Sequence, residues 1–261
     1  GAESLVFKIP TNDIAVETLL AGIDLSQVPI HLDLQFLSAS YVKKISDFVK
    51  DKPHNLQLHT DIIGNLTRTG NWFYNLNEDH RILGEILSQS DFPALSIDAT
   101  LYQNAGANIV QQLAYSLAHA NEYLNHFDAK FVLPINFKVA VGGNYFFEIA
   151  KLRALRLLWD TLASEYGISS DCRIIAQPTK RNKTLYDYNT NMLRTTTECM
   201  SAILGGADTV INLPYDSVYH KDNSFAERIA RNQLLILKNE SYFDQGANPA
   251  AGSYYIETLT R

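Results

Sequence analysis

Short apolar runs alternate with longer stretches of helical periodicity along almost the whole chain. Seven runs have the length and β-branched content of strands, at residues 5–9, 29–36, 55–60, 94–99, 131–137, 172–177 and 209–213. The spacing of apolar positions predicts helices between them, at residues 13–22, 39–50, 77–88, 105–127, 144–166, 188–204 and 224–239. Strict alternation of this kind predicts a parallel sheet, because parallel neighbours need a crossover connection.

The number of repeats indicates how this sheet is arranged. An eighth short strand is predicted at residues 245–251, with a helix that starts at Ser253. Seven or eight such units in about 250 residues are typical of a (β/α)8 TIM-type barrel. The rival is an open doubly wound sheet, but its usual GxGxxG turn does not occur in the sequence. We therefore expect one α/β barrel domain over residues 1–261.

Two of the predicted helices carry long apolar stripes, which we interpret as core-facing. The helix at 144–166 follows Gly142 and Gly143, with Asn144 as its expected N-cap. The stripe residues are Val110, Leu113, Ala114, Leu117 and Leu124 in one helix and Phe146, Ala150, Ala154, Leu157, Leu158 and Leu162 in the other.

Polar and apolar residues alternate along the strands, whereas buried parallel strands usually read as continuous apolar runs. One face of each strand must pack on the helices, so the polar face is expected to line the barrel axis. Unpaired buried polar groups cost about 1–3 kcal/mol each, so this face needs either a ligand channel or a closed hydrogen-bonded network. The bulk of the side chains favours the network. The residues expected there are His31, Asp33, Gln35, His59, Asp61, Asp98, Asn136, Gln177 and Asn212.

Two His-x-Asp pairs on neighbouring strands suggest a metal as one alternative. His31 points the same way as Asp33, and His59 the same way as Asp61, because i and i+2 share a strand face. A metal held there could activate water in a hydrolase. Hydrogen bonding within the protein is the other interpretation, and since the later strands supply no clear third histidine, we expect no metal.

Other reactive groups have less support. Lys180, Arg181 and Lys183 form a basic loop that could meet phosphate or simply be solvated. Glu198 and Glu240 are candidate acids, although carboxylates in such positions are usually solvated. The two cysteines, Cys172 and Cys199, form no CxxC and are expected to be buried structural thiols.

Composition narrows the class of partner. The 261 residues carry a formal net charge of −6, which argues against nucleic acid and anionic membranes. No run approaches the roughly 18 apolar residues of a membrane span, and no signal peptide is recognisable. Few cysteines fit a reducing, cytoplasmic setting. Because the sequence starts with Gly1, we expect a piece of a longer protein.

Linked motifs in the second half of the chain resemble those of a known family. NMLRTTTE at 191–198, GGAD at 205–208, RIARNQ at 228–233 and NPAAGSYYIETLT at 248–260 follow one another in the order found in the barrel domain of the methylmalonyl-CoA mutase family. QNAGAN at 103–108 extends the match. The resemblance implies isomerisation of methylmalonyl-CoA and succinyl-CoA with adenosylcobalamin, in propionate metabolism.

Several functional positions of that family are altered here. Leu101 and Asn104 stand where catalytic members have His and Glu. His59 and Thr69 fall in the substrate-binding segment, with Arg68 one residue from the family's Arg, and Asn239 replaces a Glu. The resemblance therefore implies the non-catalytic small subunit of a two-chain bacterial enzyme, in a heterodimer with the catalytic large subunit.

The same resemblance leads to an expectation about the cofactor, and two alternative functions stay open beside it. The family's cobalamin motif, DxHxxG, is not in this sequence, so we expect the chain to bind no cofactor, and adenosylcobalamin to belong to the assembled enzyme. The family's N-terminal arm and cobalamin-binding domain are expected to lie outside residues 1–261. Two alternatives remain: a mutase barrel for another acyl group, with Arg68 and Gln103 recruited, and a metal-dependent hydrolase using His31, Asp33, His59 and Asp61.

Overall fold

The computed structural model describes residues 3–127, 134–169, 171–221 and 223–261. These residues form two compact units. The N-terminal unit contains the described residues of Ala2–Ile97 and His119–Asn136, and the C-terminal unit contains Asp98–Ala118 and Phe137–Arg261. None of the helices in the described ranges is both long enough and apolar enough to cross a membrane.

The N-terminal unit is built on a parallel sheet of three strands in the order β1-β2-β3. Apolar residues stand side by side in its register, with Leu32 opposite both Phe7 and Leu58. Its strands are β1 (Leu5–Ile9), β2 (Ile30–Leu34) and β3 (Leu56–His59), and its helices are α1 (Val16–Leu19), α2 (Ala39–Val49), α3 (Ile62–Thr69) and α4 (Leu76–Gln89).

Side-chain caps fix where three of these helices begin. Ser38 accepts from the Tyr41 amide, Asp61 from the Gly64 amide and Asn75 from the Glu78 amide. Each cap satisfies a backbone donor that the first helical turn leaves without an intrahelical partner. Gly70, with φ 76°, ends α3 in the left-handed conformation.

A second parallel sheet has the order β4-β5-β6-β7. Its strands are β4 (Leu95–Asp98), β5 (Ile135–Val141), β6 (Arg173–Pro178) and β7 (Thr209–Val210). The remaining helices are α5 (Thr100–Asn104), α6 (Ile109–His126), α7 (Tyr145–Glu165), α8 (Thr190–Leu204), α9 (Ser224–Asn239) and α10 (Tyr254–Thr260). In the C-terminal unit Val141, Ala176 and Ala202 form a core cluster that joins β5 and β6 to α8.

The predicted alternation of strands and helices is confirmed for most elements, and the fold is α/β with parallel sheets. The strand at 5–9 and the helix at 224–239 have the predicted bounds. The strand predicted at 131–137 is β5, which continues to Val141, and residues 131–133 lie outside the described residues. Helix α3 was not predicted, because its eight residues carry too short an apolar pattern.

The predicted eighth strand at 245–251 is wrong. Turns occupy this segment, with hydrogen bonds from the Ala251 amide to the Asn248 carbonyl and from the Ser253 amide to the Ala250 carbonyl. Pro249 and Gly252 favour turns over a ladder. The helix expected to start at Ser253 does form, with Ser253 in the N-cap position of α10.

The helix predicted at 105–127 is α6, which begins at Ile109, and a separate short helix, α5, precedes it at Thr100–Asn104. Gly106 has φ 109°, outside the helical region, so the chain breaks between α5 and α6. The predicted start of α7 is confirmed, but the Asn144 side chain makes no capping hydrogen bond.

The core-facing stripes of α6 and α7 are largely wrong. Val110 is 74% exposed, Leu157 is 60% exposed, and Ala114, Phe146 and Leu158 are exposed as well. Ala150, Ala154 and Leu124 are buried as predicted, while Leu113, Leu117 and Leu162 are half-buried. Polar residues occupy much of the buried face of α6, namely Gln112, Ser116 and His119. A prediction from apolar positions alone does not include these polar residues, so it assigned the wrong face of α6 to the core.

Leu155→Ala and Leu157→Ala test which face of α7 is the core. Leu155 is 1% exposed, so its truncation should lower the free energy of unfolding by about 2–5 kcal/mol through lost burial and a new cavity. The matched change at Leu157, two residues along the same helix, should cost less than about 1 kcal/mol because the side chain is mostly in solvent. Urea unfolding of the two variants measures the difference. Equal losses would contradict the observed orientation.

Candidate functional site

Two histidines of the N-terminal unit contact each other between β2 and β3. His31 Nδ1 and His59 Nε2 are 3.0 Å apart, and the rings stack with centroids 5.2 Å apart. Both side chains are buried. A hydrogen bond between two imidazoles requires one donor and one acceptor nitrogen, so at least one ring is neutral at that contact. On the same strand, Gln35 Nε2 donates to Asp33 Oδ1 over 3.0 Å.

Asp61, in contrast, faces helices rather than the histidine pair. Its Oδ1 accepts from His119 Nε2 at 2.9 Å, from the Tyr123 hydroxyl at 2.8 Å and from the Gly64 amide at 2.7 Å. Burial, then the nearby Asp61 charge, raises the pKa of Tyr123 well above its ordinary value. Asp61 thus caps α3 and anchors α6.

The four groups of the metal alternative are therefore not brought together. His31 and His59 bind each other, while Asp61 is engaged by His119 and Tyr123. No group of three or more side chains suited to hold a metal ion occurs in the described ranges.

The other residues expected on the barrel axis have varied surroundings. Asp98 accepts from the Thr100 hydroxyl at 2.5 Å, and Gln177 is half-buried. Asn136 is fully buried, and neither of its amide atoms has a hydrogen-bond partner among the described residues. Asn212 lies beyond the end of β7 and donates to the Ala230 carbonyl of α9 and to Gln233.

The altered family positions lie in ordinary structural surroundings. Leu101, in α5, is half-buried. Asn104 Oδ1 accepts from the Thr179 hydroxyl and from the Lys180 amide, both at 3.0 Å. Thr69 bonds the backbone at the end of α3, and Asn239 is the exposed last residue of α9. Arg68 is exposed on α3 and Gln103 is buried in α5.

A buried ion pair dominates the polar part of the C-terminal unit. Lys151 Nζ contacts a carboxylate oxygen of Glu148, one turn earlier on α7. It also donates to Gln112 Oε1 at 2.9 Å and to the Ala140 carbonyl at 2.7 Å. The other carboxylate oxygen of Glu148 accepts from the Gly142 amide at 2.9 Å and from Gln103 Nε2 at 3.2 Å. Burial lowers the pKa of Lys151, and Glu148 opposes that shift.

A second buried pair corrects the interpretation of the basic loop. Lys183 Nζ lies 2.6 Å from Glu198 Oε2, with both side chains almost completely buried, and Asn182 Nδ2 donates to Glu198 Oε1. Burial lowers the pKa of Lys183 and raises that of Glu198, while the partner's charge opposes each shift. Only Lys180 and Arg181 are exposed, so the solvated interpretation was wrong for Lys183 and Glu198. Glu240 is exposed as expected.

Neither thiol is poised for nucleophilic chemistry. Burial raises the pKa of Cys172 to about 12 and raises that of Cys199 further. Both cysteines are buried and free, as the sequence predicted. A thiol with so high a pKa provides almost no thiolate at neutral pH.

A cavity of about 980 Å³ opens beside these polar groups, within the C-terminal unit. Gln103, Gly142, Glu148 and Lys151 are among its lining residues, together with apolar residues of α6 and α7 and with polar residues that include Asn108, Thr179, Arg181 and Thr260. Sequence reasoning missed both the cavity and the Glu148–Lys151 pair. The available signal was a pair of opposite charges at i and i+3 among apolar residues near the start of the helix, shortly after Gly142 and Gly143.

Comparison with known proteins identifies relatives along nearly the whole chain. The family model described as methylmalonyl-CoA mutase matches residues 11–261. The methylmalonyl-CoA mutase small subunit of Porphyromonas gingivalis is 35% identical over 100% of this chain and 46% of that protein. The small subunit from Propionibacterium freudenreichii subsp. shermanii is 37% identical over 66% of this chain and 28% of its own length.

Large subunits match as well. A probable methylmalonyl-CoA mutase large subunit of Mycobacterium bovis is 30% identical over 93% of this chain and 35% of that protein. The chain thus spans less than half the length of these relatives.

Lys183→Met tests the buried pair of α8. It leaves the Glu198 carboxylate buried without its cation, so the free energy of unfolding should fall by about 3–5 kcal/mol at neutral pH. The double variant Lys183→Met/Glu198→Gln removes both charges and should recover most of this loss. Chemical denaturation of the two variants and the parent measures the values.

The same variants give a pH dependence with a defined sign. Burial raises the pKa of Glu198 in the folded state, so its protonated form is favoured by folding. Without Lys183 the penalty of the carboxylate should therefore shrink as the pH falls toward the ordinary glutamate pKa of about 4.3. The stability gap between single and double variants should narrow over that range. A gap that is independent of pH would contradict the assignment.

Proposed function

Because the chain belongs to the methylmalonyl-CoA mutase family, we propose that it is the barrel part of a small subunit that supports a catalytic large subunit. The assembled enzyme would isomerise methylmalonyl-CoA and succinyl-CoA, while this chain contributes packing rather than chemistry. The Porphyromonas and Propionibacterium relatives are both methylmalonyl-CoA mutase small subunits, which supports the small-subunit assignment.

The observation that carries the non-catalytic proposal is that Leu101 has an apolar side chain and that Asn104 makes structural hydrogen bonds. Leu101 has no polar atom with which to polarise a thioester carbonyl, as general acid catalysis requires. Asn104 uses its carbonyl oxygen to hold the Thr179 hydroxyl and the Lys180 amide. The two positions at which catalytic relatives place His and Glu are thus one apolar and one structural residue.

We extend the proposal to a closed (β/α)8 barrel formed as a single domain over residues 1–261. In support, a bridge between Thr60 and Leu95 continues the order from β3 to β4, so the seven strands found in the described ranges follow in sequence, and an eighth is not among them. Sequential parallel order is what such a barrel requires. The contact between the buried side chains of His31 and His59 supports a closed polar network over an acyl-CoA channel, whereas Gln35, which bonds Asp33, is exposed.

The side chains present do not fit the family's cofactor. Cobalamin in this family takes its lower ligand from a DxHxxG histidine, which the sequence lacks. The cavity of the C-terminal unit is lined by no histidine. We therefore assign no step of cobalamin chemistry to this chain, and propose that adenosylcobalamin and the large subunit supply it. Two free cysteines favour a reducing, cytoplasmic location for the heterodimer.

Titration of succinyl-CoA into the purified chain tests the non-catalytic proposal directly. We expect no heat of binding in a folded sample, because bulky paired histidines occupy the proposed axis. A catalytic large subunit titrated in parallel is the positive control. A dissociation constant below about 1 mM, equivalent to roughly −4 kcal/mol, would contradict the proposal and favour a mutase barrel for another acyl group.

Leu101→His tests whether one substitution restores chemistry. We expect no turnover of methylmalonyl-CoA with adenosylcobalamin supplied, because Asn104 and His59 still differ from the catalytic pattern. When the variant is assembled with a large subunit, the rate should equal that of the parent assembly. Turnover by the variant alone would refute the proposal, and failure of parent and large subunit to associate would refute the partner assignment.

A further inference from the structure

The cavity in the C-terminal unit has the two-part lining of a site for small amphiphilic molecules. Its volume of about 980 Å³ lies at the upper end of the range for ligand pockets. One wall is made by Val110 and Leu113 of α6 and by Ala154, Leu157 and Leu158 of α7. Polar residues line the cavity as well, among them Gln103, Thr179 and Arg181, together with Asn108 and Thr260.

Helix α7 is apolar on two sides, and only one of them is covered. Ile149, Leu155 and Trp159 are buried in the core, whereas Leu157 and Leu158 face the cavity and are 60% and 41% exposed. A helix that is apolar nearly all round is normally buried all round. An apolar ligand along the two turns between Ala150 and Leu158 would remove this second face from water.

One residue that lines the cavity, Gln103, has a buried hydrogen-bond acceptor without a partner among the described residues. Gln103 is 6% exposed, its Nε2 donates to Glu148, and its Oε1 has no hydrogen-bond partner among the described residues. Leaving such an atom unpaired costs about 1–3 kcal/mol, which a ligand hydroxyl or amide N–H would relieve. The neighbouring acceptors are already used, because Lys151 neutralises Glu148 and takes Gln112 Oε1.

A cationic side chain also lines this cavity. Arg181 lines the cavity, is exposed, and its guanidinium has no ion-pair or hydrogen-bond partner in the described part of the chain. Asn144 and Phe147 also line the cavity at the first turn of α7, whose amides are not capped by the Asn144 side chain. A helix of 21 residues presents a partial positive charge there. The head group of a ligand would therefore be anionic.

We propose that this cavity binds an anionic amphiphile whose head carries a hydrogen-bond donor beside the charge, as in an N-acyl amino acid. The acyl chain lies along α6 and α7, the amide N–H donates to Gln103 Oε1, and the carboxylate faces Arg181 and the N-terminus of α7. The cavity shares Gln103 and Thr179 with the segments discussed for the mutase, but the binding proposal does not depend on whether the chain is catalytic.

Calorimetric titration of N-dodecanoylglycine, below its micelle concentration, tests this site. Leu157→Glu puts a charge on the tail wall and should weaken binding at least tenfold, while Leu193→Glu on α8, outside the cavity at 70% exposure, should leave it unchanged. Arg181→Gln should weaken binding about fivefold, and the neighbouring Lys180→Gln should not. All four positions are exposed, so the variants are expected to fold.

Head and tail are separated by two further probes. N-acetylglycine keeps the head and lacks the tail, and dodecyltrimethylammonium keeps the tail and reverses the charge. We expect both to bind at least tenfold more weakly than N-dodecanoylglycine. Equal binding of the cationic probe, or equal effects of the paired variants, would show non-specific adsorption and overturn the site. Absence of any binding to the parent chain would overturn it as well.

Discussion

The buried ammonium group of Lys151 holds three elements of the C-terminal unit together. Lys151 has three N–H donors, and the unit supplies three acceptors for them, from Glu148, Gln112 and the Ala140 carbonyl. This cation therefore joins α6, α7 and β5 at one point. Removing any acceptor would leave charge or a donor unpaired where water does not reach, and such groups are costly. The backbone and side chains around Lys151 must therefore keep these three acceptors in place.

The glycine at position 142, directly after β5, is explained by the same requirement. A Cβ on Gly142 would lie 2.8 Å from Gln103 Nε2 and 3.1 Å from Glu148 Oε1. The Gly142 amide also donates to Glu148. Glycine is needed because the backbone approaches the carboxylate closely, and no phosphate has to be invoked. Gln103 Oε1, beside this arrangement, is an acceptor without a hydrogen-bond partner among the described residues.

The sequence predicted where helices and strands lie better than it predicted which face of each helix is buried. Alternating patterns and turn residues located β1 and α9 to the residue, because these signals are local. The faces of α6 and α7 failed because α7 is apolar on two sides, so periodicity alone could not say which one meets the sheet. On α6 the buried face includes Gln112 and His119, whose burial depends on partners far away in sequence. No local pattern encodes such partners.

The contacts of the polar residues predicted for the barrel axis also depend on partners that a local pattern does not reveal, and this matters for function. Strand periodicity placed His31 with Asp33 and His59 with Asp61, but Asp61 lies beyond the end of β3 and caps α3 instead. A metal site needed all four groups together, whereas the fold uses them for separate structural contacts. Asn104, which the family resemblance places where catalytic members have a Glu, also makes structural contacts, since its oxygen holds the loop after β6. These contacts of Asp61 and Asn104 support the structural role that we propose for this chain.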